Sequence, residues 1–329
     1  MSWNKREVDS RSLHSILLSK RANIYYLEKC RVIVNGGRVE YISDAQRARE
    51  YYNIPIANTS VILLGTGTSI STAAMREISR AGVCVGFCGG GGTPLHAGSD
   101  IYFQSPQNEY RKTQYIQGWC SFWYDGARRL QAAKALQTAR MDFTKRSWSL
   151  PVFERAFEAS GLEASVNEYS GYINKAQTTN ELLGYEGAFT SRLYALASRA
   201  TSIKSFTRAK NGSGIDAVNR SLDSGNYLAY GLAASALWVL GIPHGLPLMH
   251  GKTRPGGLVF DIADIVKDGI ILPSAFFATR QGLSGTKFRN FVIANLVESC
   301  SLDEMIESVK NIIDKYQVIT PSDNPGVDV

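Results

Sequence analysis

No apolar run in these 329 residues approaches the roughly 18–20 that a membrane-spanning helix requires. The longest candidate, Leu228 to Ile242, is interrupted by Tyr230, Ser235 and Trp238 and reads as a buried core helix. The N-terminal stretch MSWNKREVDSRSLHSILLSKR has no apolar segment of the export type and carries acids. Both absences point to a cytoplasmic protein with no membrane partner. Cysteine is scarce, with Cys30, Cys84, Cys88, Cys120 and Cys300 scattered and odd in number. Cys84 and Cys88 have no second Cys/His pair at zinc-ligand spacing, so the thiols read as small apolar core groups in a reducing compartment. Internal repeats and low-complexity segments are absent, which excludes a solenoid or a largely disordered chain. An acidic excess is lacking too. Net charge is +7, which is compatible with a polyanionic partner without identifying one.

The elements that are present fall into two groups. Strands are expected across residues 23–43, with a hairpin turn at Asn35-Gly36-Gly37, and again at 60–65 and 83–88. A short amphipathic helix, TAAMREISRAG, should end at Gly82; the four glycines Gly89–Gly92 form a loop, and TPLHAG offers a last strand. From about residue 105 onward helical patterning takes over. The expected fold class is α+β: a small N-terminal β-rich, β-sandwich-like domain over 1–104, then a larger all-α domain over 105–329. The segment Gly65-Thr66-Gly67-Thr68-Ser69 follows a strand and precedes a helix, as a phosphate-cradling loop would. It lacks the P-loop lysine and the third glycine of a dinucleotide fingerprint, so turn chemistry is the better account.

Two stretches carry chemistry. Thr178 and Glu181 have capping-box spacing, which starts a helix near residue 179. On a wheel centred on Leu182, the residues Phe189, Leu193, Leu196 and Ala197 fall within about 60°, and Glu186 falls at about 40°, inside the apolar stripe. A carboxylate there is costly unless compensated, either by an ion pair with Arg192 or Arg199 or by a bound cation. In the second stretch, HGKTRPGGLVFDIADIVKD, Leu258, Val259, Ile262, Ile265 and Val266 form an apolar arc. Asp261, Asp264 and Asp268 group together more than about 90° from its centre. They are either a solvated acidic face or part of a metal site. His250 lies just upstream, with Lys252 and Arg254 between. Oxygen ligands with one imidazole suit Mg²⁺ or Mn²⁺, and neighbouring basic residues suit a polyanionic substrate, as in phosphodiester-processing enzymes.

At these residues the chain resembles the CRISPR-associated integrases of spacer acquisition, the Cas-one family, over nearly its whole length. The resemblance rests on Gly184-Tyr185-Glu186-Gly187, on Asn219, Leu222 and Tyr230-Gly231, and on His250 followed by Val259-Phe260-Asp261-Ile262-Ala263-Asp264. It departs from the family pattern at Pro247-Leu248-Met249 and at an additional histidine, His244. The four-glycine loop and Pro243-His244-Gly245 are similar to the type I-F branch. The resemblance implies that Glu186, His250 and Asp264 ligate Mg²⁺ or Mn²⁺, with Asp261 as a supporting acid of the catalytic set. It implies attack of a DNA 3′-hydroxyl on a phosphodiester of the CRISPR repeat, and hydrolysis when water replaces the hydroxyl. It further implies a homodimer formed through the β domain and a Cas-two partner fused to the Cas-three helicase–nuclease. Arg192, Arg199, Lys204, Arg208, Lys210, Lys252, Arg254, Lys287 and Arg289 are the candidate contacts to double-stranded DNA. Rival readings are a non-catalytic DNA-binding scaffold and a nucleotide-binding regulator built on Gly65–Ser69.

Overall fold

The computed structural model describes residues 21, 23–43, 50–90, 102–104, 112–154, 157, 159–203, 206–209, 216–251 and 255–318. The chain divides into two compact units, Met1–Tyr110 with Ile293–Asp303, and Arg111–Val292 with Glu304–Val329.

The first unit holds two four-stranded sheets. Strands β1 (Asn23–Leu27), β5 (Thr59–Leu64), β7 (Cys84–Phe87) and β8 (Tyr102–Gln104) form one sheet in that order. The second runs β4 (Glu50–Asn53), β3 (Arg38–Ser43), β2 (Cys30–Asn35) and β6 (Ser69–Ile70). The β2–β3 hairpin pairs Asn35 with Arg38, and its two loop residues, Gly36 and Gly37, have φ of 55° and 78°. That is the primed turn the Asn-Gly-Gly break predicts, since both positions need the left-handed region. The first sheet is more parallel than a β-sandwich: β1, β5 and β7 run parallel and only β8 is antiparallel. Parallel neighbours need a crossover, and helix α1 (Thr72–Arg80) supplies it between β5 and β7. Strand β5 is central and buried along its whole length, matching its continuous apolar run. Val32 and Val39 from one sheet, Ile62, Leu64 and Val85 from the other, and Ala74 and Ile78 from α1 form one core. The strand expected at TPLHAG lies outside the described residues.

The helical elements are α2 (Thr113–Trp123), α3 (Gly126–Trp148), α4 (Pro151–Glu154), α5 (Ala159–Lys175), α6 (Thr179–Ala200), α7 (Ala217–Leu240), α8 (Gly257–Val266), α9 (Leu272–Arg280), α10 (Gly285–Glu298) and α11 (Ser301–Tyr316). A π-helical turn, Lys267–Ile271, joins α8 to α9. No described helix is long and apolar enough to cross a membrane. Helix α6 starts where the capping box predicts, with Thr178 accepting from the Glu181 N–H at 3.1 Å. The Glu181 carboxylate reaches back to the Gln177 N–H at 2.9 Å. Around the buried α8, the helices α3 and α7 pack as walls, and this arrangement places the chemical residues.

None of the five cysteines forms a disulfide; Cys30, Cys84 and Cys88 are buried, whereas Cys120 is half-buried and Cys300 exposed, so the core reading holds for three of them. Burial pushes the Cys88 thiol up to about 12. The Gly65–Ser69 segment turns at Gly67 (φ 74°) and borders a cavity of about 650 Å³ lined by Leu64, Gly65, Thr66, Thr68, Phe87, Cys88 and Gly89. None of these lining residues is charged, and Lys29 lies against the turn, its Cγ 3.4 Å from a Cβ built at Gly67.

Candidate metal centre

Glu186 on α6, Asp264 on α8 and His250 in the loop before α8 converge in the helical unit. One ligand atom from each lies within 4.8 Å of the others. The loop that brings His250 there is held from two sides. Asp261 accepts the N–H groups of Leu248, Met249 and His250 at 2.6, 3.1 and 3.1 Å. On the other side, the indole N–H groups of Trp119 and Trp123 donate to the carbonyls of Leu246 and Pro247 at 3.1 and 2.8 Å. Asp261 also bonds the His250 Nδ1 at 2.7 Å. A neutral imidazole that donates from Nδ1 presents a lone pair at Nε2, the ligand geometry of a carboxylate–histidine–metal triad. The Nε2 lies 3.9 Å from Asp264 Oδ2.

The three aspartates are not a solvated acidic face. Asp261, Asp264 and Asp268 are 1%, 2% and 3% exposed. Helix α8 is a buried element; Asp264 pairs with Lys267 and Asp268, just beyond the helix, with Arg140, whereas Asp261 meets only backbone N–H groups and His250. Lys267 donates to Asp264 Oδ1 at 2.6 Å and lies over the Tyr230 ring. Burial raises the Asp264 carboxyl, but the Lys267 charge and then Arg140 pull harder and leave it lowered. Burial opposes protonation of Lys267, yet Asp264 holds its pKa well above the ordinary lysine value. Burial would depress the His250 imidazole; the bond to Asp261 and the Asp264 charge outweigh it and raise it.

Glu186 has neither of the arginine partners expected from its helix. Its partner is Arg140 on α3, at 2.7 Å, buried to 2% exposure. Arg192 instead pairs with Glu168, and Arg199 is exposed. Asp268, grouped by the wheel with the other acids, is the second counter-ion of Arg140 at 2.6 Å and does not join the ligand cluster. Asp268 sits in the π turn, where Leu272 N–H bonds Lys267 O. In that register Pro273 faces the Asp268 carbonyl without an N–H, and the Trp148 indole supplies the donor at 2.8 Å.

Arg140, Glu186, Thr190, Tyr194, Arg208, Asn226, Tyr230, Lys267 and Asp268 line a cavity of about 170 Å³ beside the cluster. Of the other basic candidates, Arg208 is held by Asn219 at 2.8 Å and Asp223 at 2.5 Å, so its charge is largely spent within the fold. Lys287 is exposed, and Arg289 bonds Thr286 at 3.2 Å. Lys204, Lys210, Lys252 and Arg254 lie outside the described residues. His244 contributes its carbonyl to the Leu258 N–H at 3.1 Å and is not part of the cluster. Arg140, Trp119, Trp123 and Lys267 escaped sequence reasoning. Each sits in an ordinary helical pattern, and only the Asp264–Lys267 spacing of three hinted at a pair.

A β-rich unit, and a helical unit in which half-buried Glu186 and His250 meet buried Asp264, define a protein with a cluster that could hold a metal ion. Residues 26–308 match the family model described as CRISPR associated protein Cas1. The chain belongs to this family of CRISPR-associated endonucleases. It is 50% identical over 315 residues to the CRISPR-associated endonuclease Cas1 of Pectobacterium atrosepticum, covering 93% of this chain and 97% of that one. Identity to the protein of the same name from Pseudomonas aeruginosa is also 50%, over 320 residues, 95% of this chain and 99% of the relative. Among solved structures, a casposase bound to integration product shares the fold, with a TM-score of 0.66, 14% identity and coverage of 93% and 94%.

Proposed function

We propose that this chain is a divalent-metal-dependent DNA integrase and endonuclease that joins captured DNA fragments to the CRISPR repeat. The observation that carries the reading is the charge balance of the cluster. Arg140 and Asp268 offset each other. A ligating His250 is neutral, and with it so, Glu186, Asp261 and Asp264 face one ammonium, Lys267, and two negative charges remain. A divalent cation cancels that excess, and the donor set of two carboxylates and an imidazole fits Mg²⁺ or Mn²⁺. Glu186, His250 and Asp264 would hold the ion, while Asp261 keeps His250 in the Nδ1–H tautomer. Once bound, it would polarise the phosphodiester and stabilise charge developing on its oxygens. The chain's own part is to present the ligands already oriented, through Asp261 and the two indoles. The casposase likeness and the two endonuclease relatives support strand transfer as the reaction class.

The same reading includes a homodimer formed through the β-rich unit, and a Cas-two partner in its Cas-three fusion. Supercoiled repeat DNA, a short duplex, the partner protein and Mg²⁺ or Mn²⁺ make the deciding assay. Wild type should join the fragment. Glu186→Ala, His250→Ala and Asp264→Ala should each abolish joining while DNA binding is retained, and joining by all three variants would overturn the assignment.

A further inference from the structure

The buried Arg140 side chain makes four hydrogen bonds within the helical unit. Its Nε donates to Asp268 at 2.8 Å, Nη1 to Glu186 at 2.7 Å and to Gln137 at 3.3 Å, and Nη2 to Thr190 at 2.8 Å. Nη2 also lies 2.6 Å from Asp268 Oδ2, the oxygen that accepts from Nε, so four N–H donors are hydrogen-bonded and an ion-pair contact adds to them. Glu186 and Thr190 are one turn apart on α6, so the planar fork spans that turn. Among the described residues, only the Oε1 oxygen of Glu186 is hydrogen-bonded, which leaves Oε2 without a hydrogen bond there. Gln137, one turn before Arg140, accepts from Tyr169 at 2.9 Å and donates to the Met249 sulfur at 3.0 Å, next to His250. A single turn of α3 therefore touches the Glu186 helix, the residue preceding His250 and the π turn that follows Asp264.

From this geometry we infer that Arg140 is the positioning residue of the metal centre: it fixes Glu186 by one oxygen, presents the other as the ligand, and registers the three ligand-bearing elements against one another. Asp268 is the counter-ion that makes a buried guanidinium tolerable there. The inference rests on the metal reading above. It assigns Arg140 no contact with the reacting atoms. A lysine would keep the charge but cannot span Glu186, Thr190 and Asp268 together.

The test is Mn²⁺ binding by the full chain, followed by calorimetry and by the loss of the free-ion electron paramagnetic resonance signal, well below the melting temperature. Wild type should bind, and Glu186→Gln should not. Arg140→Lys should weaken Mn²⁺ about tenfold with the circular dichroism spectrum preserved. Thr190→Val removes one anchor of the fork at constant shape and should weaken it about threefold. This second variant carries the test if Arg140→Lys does not fold. Unchanged Mn²⁺ affinity in a folded variant with a lowered melting temperature marks a merely structural arginine and overturns the inference alone. Wild type that binds no Mn²⁺ overturns the metal reading and the inference with it.

Discussion

Asp261 accepts from three successive backbone N–H groups and from the Nδ1 of His250 through the same carboxylate, with Oδ1 serving both the His250 N–H at 3.1 Å and the ring nitrogen at 2.7 Å. One side chain thus sets both the path of the loop and the tautomer of its histidine. Asp261→Asn keeps the shape but replaces one acceptor oxygen with a donor. The variant should lose about 1–3 kcal/mol of stability and bind Mn²⁺ about 10–100-fold more weakly. Chemical denaturation and calorimetry measure the two effects. Wild-type affinity in the variant would show that Asp261 does not orient His250.

Gly257 opens α8 beneath the same loop. A Cβ built there would lie 2.7 Å from the His250 carbonyl oxygen and 3.0 Å from Pro247, and neither belongs to a flexible side-chain end. Gly257→Ala should therefore push the His250 loop off its Asp261 anchors. We expect a loss of about 1–3 kcal/mol and weaker Mn²⁺ binding than in an alanine variant at Gly184, where a Cβ meets nothing within 4 Å. Equal Mn²⁺ affinities in the two variants would count against the loop displacement.

Asp216 caps α7, accepting the Asn219 N–H at 2.9 Å and its side-chain amide at 2.6 Å. Slight burial raises this carboxyl, but the Asn219 side-chain and backbone bonds outweigh it and leave its pKa lowered. A lowered folded-state pKa gives stability that is present above the unfolded value and lost as pH falls through the folded one. Asp216→Ala should cost about 1 kcal/mol at neutral pH, and the gap from wild type should narrow below about pH 4. Urea titrations at both ends of that range provide the check; a gap that widens in acid would refute the cap.

DNA affinity should fall steeply with salt if the proposed basic surface tracks phosphates. Six or more contacts predict a loss of about 10³-fold between about 50 and 200 mM salt. Arg199 and Lys287 are both exposed, and replacing each with alanine should reduce the slope of log affinity against log salt by about one. Arg192 and Arg208, already paired with Glu168 and Asp223, should change it less. Fluorescence anisotropy with a labelled duplex reads both slopes, and a shallow wild-type slope would remove the surface from the reading.

The sequence by itself determined the local elements and the order of the chemical groups. Asn35-Gly36-Gly37 makes its turn because two left-handed residues are needed there. Thr178 and Glu181 start α6 because helix N-termini leave donors to satisfy. Periodicity put Glu186 on the apolar side of that helix, where a carboxylate needs a partner. Tertiary structure decided which partner. Arg192, Arg199 and Arg140 carry the same charge chemistry, and a wheel compares positions within one helix only. Packing of α3 against α6 and the π turn selects Arg140, 46 residues away from Glu186. It also separates the acids that the wheel grouped: Asp261 turns to the His250 loop, Asp264 to the cluster, and Asp268 to Arg140. Burial on every side of α8, which no periodicity within α8 could reveal, turns Asp261 and Asp264 from a solvated face into, with Glu186, a charge excess that a cation can balance.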